Sequence, residues 1–546
     1  MYPFLGGVPL TQFLLIASGV IIACVLSNKL TNKLGMPTLL AFILLGMFLG
    51  SDGVAKIHFD NYLLTQEICT IALVFIMFYG GFGTSWSAAK PVAVKAVLLS
   101  SLGTVATAGL VGVFAWQVLA LPLLESFLLG SVISSTDAAS VFSILRSRRL
   151  NLKYGTASLL EVESGSNDPF SYMLTVIVLS LMSGEAASAG AFVWQVTAQL
   201  GFGLAFGFGV ALVALAFLRR FRFCTEGFDA IFIVAVALIA YAAPTALGGN
   251  GFLSVYITGI LLGNASLQNK QSLVHFFDGI TSLMQMALFF LLGLLSFPSQ
   301  LPAVALTGLA VALFLTFVAR PLVVTLLLKP FRSSWKQVAL VSWSGMRGAA
   351  SIAFSILAVT SPAVIHMDIY HMVFFIVLFS ILIQGTLIPF MAQTLGMIDL
   401  EGDVMKTFTD YTEEMAIDFL QCTLPPDHEW VGRQVQDLDF PPECLIVLLT
   451  RDGEKLVPSG STVFQPGDTI ILGGRAGGTS EGVHLFERTI GIRDPWRNRM
   501  ISTLDTRGNL IIMIRRRGQV IIPKGDTVLQ TGDILLINDM DGDPLT

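Results

Sequence analysis

The stretch Leu160-Glu161-Val162-Glu163-Ser164-Gly165-Ser166-Asn167-Asp168-Pro169-Phe170-Ser171-Tyr172 sets three carboxylates and an amide inside a strongly apolar region. A carboxylate at bilayer depth costs about 2.5–3.5 kcal/mol on insertion scales, so such a cluster reads as a site. On a helix, Glu163 and Asn167 share one face and Ser164 and Asp168 another, each pair four residues apart. Pro169 has no N–H, so the Gly165 carbonyl loses its usual partner and becomes available as a ligand. Another acid, Asp137, lies in Ser134-Ser135-Thr136-Asp137-Ala138-Ala139-Ser140. Asp168, Ser164 and Asp137 are expected to converge on one oxygen-rich site that suits a hard monovalent cation partly stripped of water. Desolvation penalises a charged carboxylate, so the same oxygens take either a proton or a cation, and this competition suffices to couple the two. Asn167 beside Asp168 leaves a single titrating carboxylate at that point.

Two basic residues complete the set. Arg320, in Phe317-Val318-Ala319-Arg320-Pro321-Leu322, falls deep in an apolar run and needs a carboxylate partner. Glu163 is the expected partner in a structural ion pair, which leaves Asp168 free to exchange protons. Arg347 lies in Ser344-Gly345-Met346-Arg347-Gly348-Ala349-Ala350-Ser351, an echo of the segment around Asp137. Each copy puts a charge just before Ala-Ala-Ser and then resumes an apolar helix. Broken helices leave free carbonyls at one end and positive amide ends at the other. Asp137 and Arg347 are expected to neutralise those ends.

The elements that position these residues follow from composition. The chain has 546 residues, 54% hydrophobic and 13% charged, with 51 Gly and 40 Phe. Its mean hydropathy is +0.75. A soluble chain carries about 25% charged residues. A soluble enzyme, a nucleic-acid binder and a disordered scaffold are thereby excluded, and a net charge of −5 offers no basic face to a phosphate backbone. Five scattered Cys lack metal or disulfide spacing. The first apolar run lacks a basic lead and a cleavage site, so it reads as a first membrane helix.

About thirteen spans are expected, starting near residues 7, 37, 62, 91, 122, 155, 189, 228, 250, 276, 301, 337 and 369. Loops after odd-numbered spans hold Lys29/Lys33, Lys90/Lys95, Arg146/Arg148/Arg149/Lys153, Arg219/Arg220/Arg222, Lys270 and Lys329/Arg332/Lys336. Loops after even-numbered spans hold almost none, Lys56 being the exception. This bias puts the N-terminus outside and the C-terminal tail in the cytoplasm. The two breaks lie seven spans apart and so run in opposite directions, as in inverted repeats with two crossing discontinuous helices. The expected fold class is a polytopic α-helical membrane protein with small α+β cytoplasmic C-terminal domains. Its expected domains are 1–398 in the membrane, 399–484, and a related β-rich module at 485–546.

The tail repeats itself. Ile446 through Leu472 aligns without gaps to Ile511 through Ile537, sharing Arg451/Arg516, Gly453/Gly518, Pro458/Pro523, Gly460/Gly525 and Asp468/Asp533. Its strand–turn–strand rhythm argues a small β-rich unit. No GxGxxG follows a strand there, which argues against NAD binding.

In this order the motifs resemble the cation:proton antiporter-1 family, the NhaP-type exchangers, over roughly residues 5–398. They are Pro37 to Gly50, Thr136-Asp137, Glu163-Ser164-x-x-Asn167-Asp168, Gly251-Phe252-Leu253 through Tyr256, Gly259, Gly263-Asn264, Ala319-Arg320 and Gly345-x-Arg347-Gly348. The first tail copy resembles a TrkA-C regulatory domain, and the second resembles that fold or the related CorC/HlyC transporter-associated domain. The resemblance implies a homodimer, alternating access by an elevator-like core, and one cation exchanged per proton. It makes Asp168 the ion and proton carrier, with Asp137, Thr136 and Ser164 helping to bind the cation. It also has Asn167 steady the crossing helices and Glu163 pair with Arg320. Many sodium-selective members have Glu where this chain has Tyr79, which shifts the expectation towards potassium and is closest to the potassium/proton branch tied to cell volume.

The expected function is thus secondary exchange of cytoplasmic potassium, or sodium, for external protons in potassium, pH and volume homeostasis. The expected location is a bacterial cytoplasmic (inner) membrane. Neither an enzymatic activity nor a cofactor is expected, and the partners are membrane lipid, a second copy, and a nucleotide or other small regulator of the tail. The rivals are a gated cation channel, although no TVGYG-like filter occurs, and a non-transporting membrane sensor.

Overall fold

The computed structural model describes residues 10–34, 38–54, 56–137, 141, 145, 151–184, 188–221, 227–265, 267, 270–399, 418–426, 428, 430–438, 445–451, 454–474, 485–491, 494–504, 510–516, 519–521 and 523–538. Ala138 to Ser140, the loop residues Arg146, Arg148, Arg149 and Arg222, and the repeat glycines Gly453 and Gly518 lie outside the described residues. The chain divides into two compact units, Met1–Thr412 and Glu413–Thr546.

The first unit is helical. In order it contains α1 (Leu10–Leu34), α2 (Thr38–Leu49), α3 (Tyr62–Gly83), α4 (Ala93–Gln117) and α5 (Leu123–Val132). Next come α6 (Thr156–Met182), α7 (Ala189–Arg220), α8 (Phe228–Ala246), α9 (Gly251–Gly263) and α10 (Lys270–Leu294). Last are α11 (Pro298–Phe331), α12 (Trp335–Trp343), α13 (Ala349–Thr360) and α14 (Ile369–Thr394). By length and composition, seven of the described helices are long and apolar enough to cross a membrane: α3, α4, α7, α8, α10 with its window at Ser272–Leu294, α11 and α14. Shorter apolar helices include α2, α5, α9 and α13.

Local chemistry explains the boundaries that matter to the site. Tyr154 (φ 61°) and Gly155 (φ 62°) make a left-handed turn that launches α6. Just before it, β1 (Asn151–Leu152) pairs antiparallel with β2 (Ile398–Asp399), which follows α14. Asn250 caps α9 by accepting from the Leu253 N–H at 3.0 Å, and its own amide donates to the Pro169 carbonyl at 2.7 Å. The start of α9 is thereby fixed to the proline turn of α6. Helices α3 and α9 meet in backbone contact, since a Cβ on Gly81 would lie 2.4 Å from the Tyr256 carbonyl oxygen. A π-helical turn at Leu315–Ala319 within α11 immediately precedes Arg320, and another at Ser380–Gly385 within α14 presents Ser380 and Gln384.

The second unit holds two four-stranded antiparallel sheets. Strands β3 (Asp418–Thr423), β4 (Leu445–Arg451), β5 (Glu454–Leu456) and β6 (Thr469–Gly474) pair in the order β3-β6-β4-β5. Strands β7 (Leu485–Thr489), β8 (Leu510–Arg516), β9 (Gln519–Ile521) and β10 (Ile534–Asn538) pair in the order β7-β10-β8-β9. The register repeats with the sequence: Leu449 opposes Ile470 as Ile514 opposes Leu535. Arg451 grips Asp468 through Nε at 2.8 Å and Nη2 at 2.7 Å, and Arg516 grips Asp533 at the same two distances. The sheets pack through Val447, Leu448 and Ile471 against Ile512, Met513 and Leu536, which occupy equivalent places in the two copies. Among the described residues, helix in this unit is limited to the 3₁₀ turns Val435–Asp437 and Ile501–Thr503.

Candidate functional site

Both sequence breaks interrupt helices. The chain leaves α5 after Val132 and runs without helix through Asp137; it leaves α12 after Trp343 and re-enters helix at Ala349. The two irregular segments touch, with the Asp137 N–H donating to the Met346 carbonyl at 2.8 Å. Arg347 Nη1 then donates to the carbonyls of Ser134 (2.8 Å) and Ser135 (2.5 Å), in the irregular segment that follows α5. Asp137 reaches the opposite pole. A Cβ on Gly348, the residue that precedes α13, would lie 2.4 Å from Asp137 Oδ2, so the carboxylate sits at the positive amide end of that helix. Each charge therefore contacts the segment of the other break.

Helix α6 lies across this junction. The Ser164 hydroxyl donates to the Thr136 carbonyl at 2.8 Å, and Asn167 Nδ2 donates to Thr136 Oγ1 at 2.5 Å. Ser135 donates its hydroxyl proton to Asp168 Oδ1. A cavity of about 110 Å³ is lined by Asp137, Asp168, Thr136, Ser135, Ser164 and Gly165, together with Glu161, Gln285 and apolar residues of α2, α3, α10 and α13. Asp168, Asp137, Ser164 and Thr136 thus share one space. Asn167 is buried behind it and braces Thr136.

Away from that space, Arg320 Nη2 lies 2.5 Å from Glu163 Oε1, with both side chains almost wholly buried. The approach is a charge contact whose N–H direction is not aligned as a hydrogen bond. The Arg320 side chain runs close past Gly345, where a Cβ would come within 2.7 Å of Nε. Arg347 lies within electrostatic reach of both Arg320 and Glu163, so the pair and the crossing form one buried charge network.

The sodium/hydrogen exchanger transmembrane family model matches residues 19–394. The chain belongs to that family. It is 34% identical over 451 residues to the K(+)/H(+) antiporter NhaP of Alkalimonas amylolytica, covering 82% of this chain and 78% of that protein. It is 32% identical over 472 residues to the K(+)/H(+) antiporter NhaP2 of Shewanella sp. strain MR-4, covering 85% and 82%. The solved structure of the sodium proton antiporter MjNhaP1 from Methanocaldococcus jannaschii shares the fold, with a TM-score of 0.61 at 23% identity over 70% of this chain and 99% of that one. TrkA-C domain models match both tail copies, at 419–481 and 485–537.

Within this sodium/hydrogen exchanger frame, three cavity residues escape a motif-based choice. Ser135 is one residue before Thr136-Asp137, and its hydroxyl is the one that meets Asp168. Glu161 precedes Asp168 by seven residues, which is two helical turns and the same face. Gln285 is the lone amide in an apolar stretch of α10. Tyr79 is placed differently: it is not among the cavity-lining residues, and its hydroxyl donates to Asp278 Oδ1 at 3.3 Å. Glu125, buried at the start of α5, accepts from the backbone N–H groups of His366 (3.1 Å) and Met367 (3.0 Å) and so clamps the loop before α14.

Proposed function

We propose that this chain is a secondary antiporter exchanging cytoplasmic potassium, or sodium, for external protons, one for one, across a bacterial cytoplasmic membrane. The observation that carries the reading is Asp168, which shares a small cavity with Asp137 and accepts a hydrogen bond from Ser135. A carboxylate there exchanges a proton for a cation by simple competition, and Asn167, being neutral, adds no second titration at that point. Asp137, Thr136 and Ser164 supply further oxygens around the cation. The Glu163–Arg320 pair and Arg347 hold the crossing helices without touching the ion. Potassium is favoured over sodium by the names of the relatives at 30–34% identity and by Tyr79 in place of an acid.

The membrane part, 1–398, is read as about thirteen spans built from inverted repeats, with the N-terminus outside. The tail modules 399–484 and 485–546 are read as cytoplasmic, regulating transport through a small ligand, and the working unit as a homodimer. The cavity is lined from the first turn of α2 (Leu39), the last turn of α3 (Gly80) and the second turn of α6 (Glu161). On the positive-inside assignment these are cytoplasmic ends, so this conformation faces inward.

Everted vesicles loaded with a pH gradient test the reading. Potassium or sodium should dissipate the gradient with wild type and not with Asp168→Asn, and the rate should be insensitive to membrane potential. A cation conductance that runs without proton movement would establish the channel reading instead.

A further inference from the structure

We infer that His371 is an external pH switch: on taking up a proton it releases the segment between α10 and α11 and loosens the outer closure of the exchanger. The inference concerns regulation of the proposed antiport and rests on that reading. On the positive-inside assignment, the loop after α2, the α10–α11 connection and the start of α14 all lie on the external side.

The hydrogen bonds around His371 admit one protonation state. Its side chain is almost wholly buried. Nε2 accepts from the Phe297 N–H at 3.1 Å, so that nitrogen is bare. Nδ1 therefore carries the imidazole proton and donates it to Asp368 Oδ2 at 2.7 Å. A second proton can enter only at Nε2, where it would set two donors against each other, and the bond to Phe297 must then break. Histidine is the side chain whose ordinary charge change falls between about pH 5 and 8.

The charges that face the ring favour that second proton. Asp368 caps the same helix, accepting also from the His371 N–H at 3.2 Å, and Asp52 in the loop after α2 lies within electrostatic reach. The hydroxyls of Tyr62 on α3 and of Tyr370 lie within reach of Asp368. Glu125 of α5 is taken up by the His366 and Met367 N–H groups. The adjoining ends of α10 and α11, and all of α13, bring no charged side chain.

The segment held by His371 is a junction. Asp52 Oδ2 accepts from the Ser299 N–H at 3.0 Å and from its hydroxyl at 2.5 Å, so the turn into α11 is gripped from two sides. Next to His371, the Tyr370 hydroxyl donates to the Leu292 carbonyl at 2.6 Å and ties α14 to α10. Helix α10 supplies Gln285 and Phe289 to the cavity. Helix α14 carries Ser380, whose hydroxyl oxygen accepts from the Arg347 N–H at 3.0 Å. Losing the Phe297 bond thus weakens the hold between a cavity wall and the helix that supports the crossing.

Amide hydrogen exchange of full-length protein in proteoliposomes tests this, read on peptides spanning residues 295–300 and corrected for the intrinsic pH dependence of exchange. Protection in wild type should fall by about tenfold or more from about pH 8 to about pH 5. His371→Gln keeps an acceptor for Phe297 but does not titrate there, so its protection should stay within about twofold over the same range. Asp368→Ser retains a helix cap and withdraws the carboxylate beside Nδ1, so the fall should move about one unit to more acidic pH, which decides the matter should His371→Gln not fold. Asp168→Asn should show the wild-type fall, which separates the switch from the exchange site. Protection independent of pH in wild type, a fall that persists in His371→Gln or vanishes in Asp168→Asn, or an unmoved midpoint in Asp368→Ser overturns the inference. None of these readouts uses transport; absence of cation-dependent proton flux in wild type overturns the antiport reading instead.

Discussion

Removing the Glu163 carboxylate is the sharpest structural perturbation available. Glu163 and Arg320 are each almost wholly buried and meet at 2.5 Å, so losing one partner strands a charge in a low-dielectric interior. Breaking such a pair costs about 3–5 kcal/mol, whereas replacing both charges with apolar groups of similar volume is often neutral or stabilising. The network makes the two single variants unequal. Arg347 feels both members, so Glu163→Gln leaves two guanidinium groups within electrostatic reach of each other without the Glu163 charge, while Arg320→Met leaves Glu163 with Arg347 still in reach. Glu163→Gln should therefore lie at the upper end of that range and Arg320→Met at the lower. The double variant Glu163→Leu/Arg320→Met should recover most of the loss. Denaturation of purified protein in mixed micelles, arranged as a double-mutant cycle, measures the coupling directly. Single variants within about 0.5 kcal/mol of wild type would be the behaviour of a surface pair and would refute the argument, as would a double variant whose loss is the sum of the singles.

Other perturbations follow from the same geometry. Gly348→Ala puts a methyl group 2.4 Å from Asp137 Oδ2, so transport in vesicles should fall below a tenth of wild type, a loss of at least ~1.4 kcal/mol in transition-state terms. Arg347→Lys keeps the charge but is one bond shorter, so it withdraws the donor that Nη1 places between two carbonyls, and should lower both thermal stability in detergent and transport rate. Tyr79→Phe removes the 3.3 Å contact to Asp278 from a residue that does not line the cavity, so the potassium-to-sodium rate ratio should stay within twofold of wild type. In the tail, the hydrogen bond from Arg451 holds the Asp468 carboxyl below its ordinary value. A lowered folded value means that this stabilisation is full above the unfolded pKa of about 3.9 and is lost as pH falls through the folded one. Asp468→Asn should thus cost about 1.5–3 kcal/mol at neutral pH and flatten the acid dependence of amide protection in β4 and β6 of the full-length protein.

Charge in an apolar background was the legible signal. Arg320 has few carboxylates at comparable depth, so its pairing with Glu163 follows from the penalty on an unpaired guanidinium. The echo of Asp137 and Arg347 before Ala-Ala-Ser announces two interrupted helices, because a charge among small residues neither packs nor propagates an apolar helix. The gap-free tail repeat carries its register with it, since equal spacing of alternating apolar residues dictates equal strand pairing. What spacing does not reveal is direction. Ser164 sits four residues before Asp168, yet its hydroxyl goes to the Thr136 carbonyl, and the hydroxyl on Asp168 comes from Ser135, 33 residues earlier in the chain. The contact of Tyr79 with Asp278 joins residues 199 apart, which helix packing determines and a motif does not. Gln285 is similarly silent: a single amide in an apolar run acquires meaning only when α10 is set against α6.

The central claim is that one set of oxygens around Asp168 holds either a proton or a cation. Proton release on cation addition tests it without any transport step, using lightly buffered purified protein and a pH indicator near neutrality. Wild type should release protons saturably as potassium or sodium is added, and Asp168→Asn should release none. No release from wild type, or equal release from Asp168→Asn, would contradict the competition on which the whole account stands.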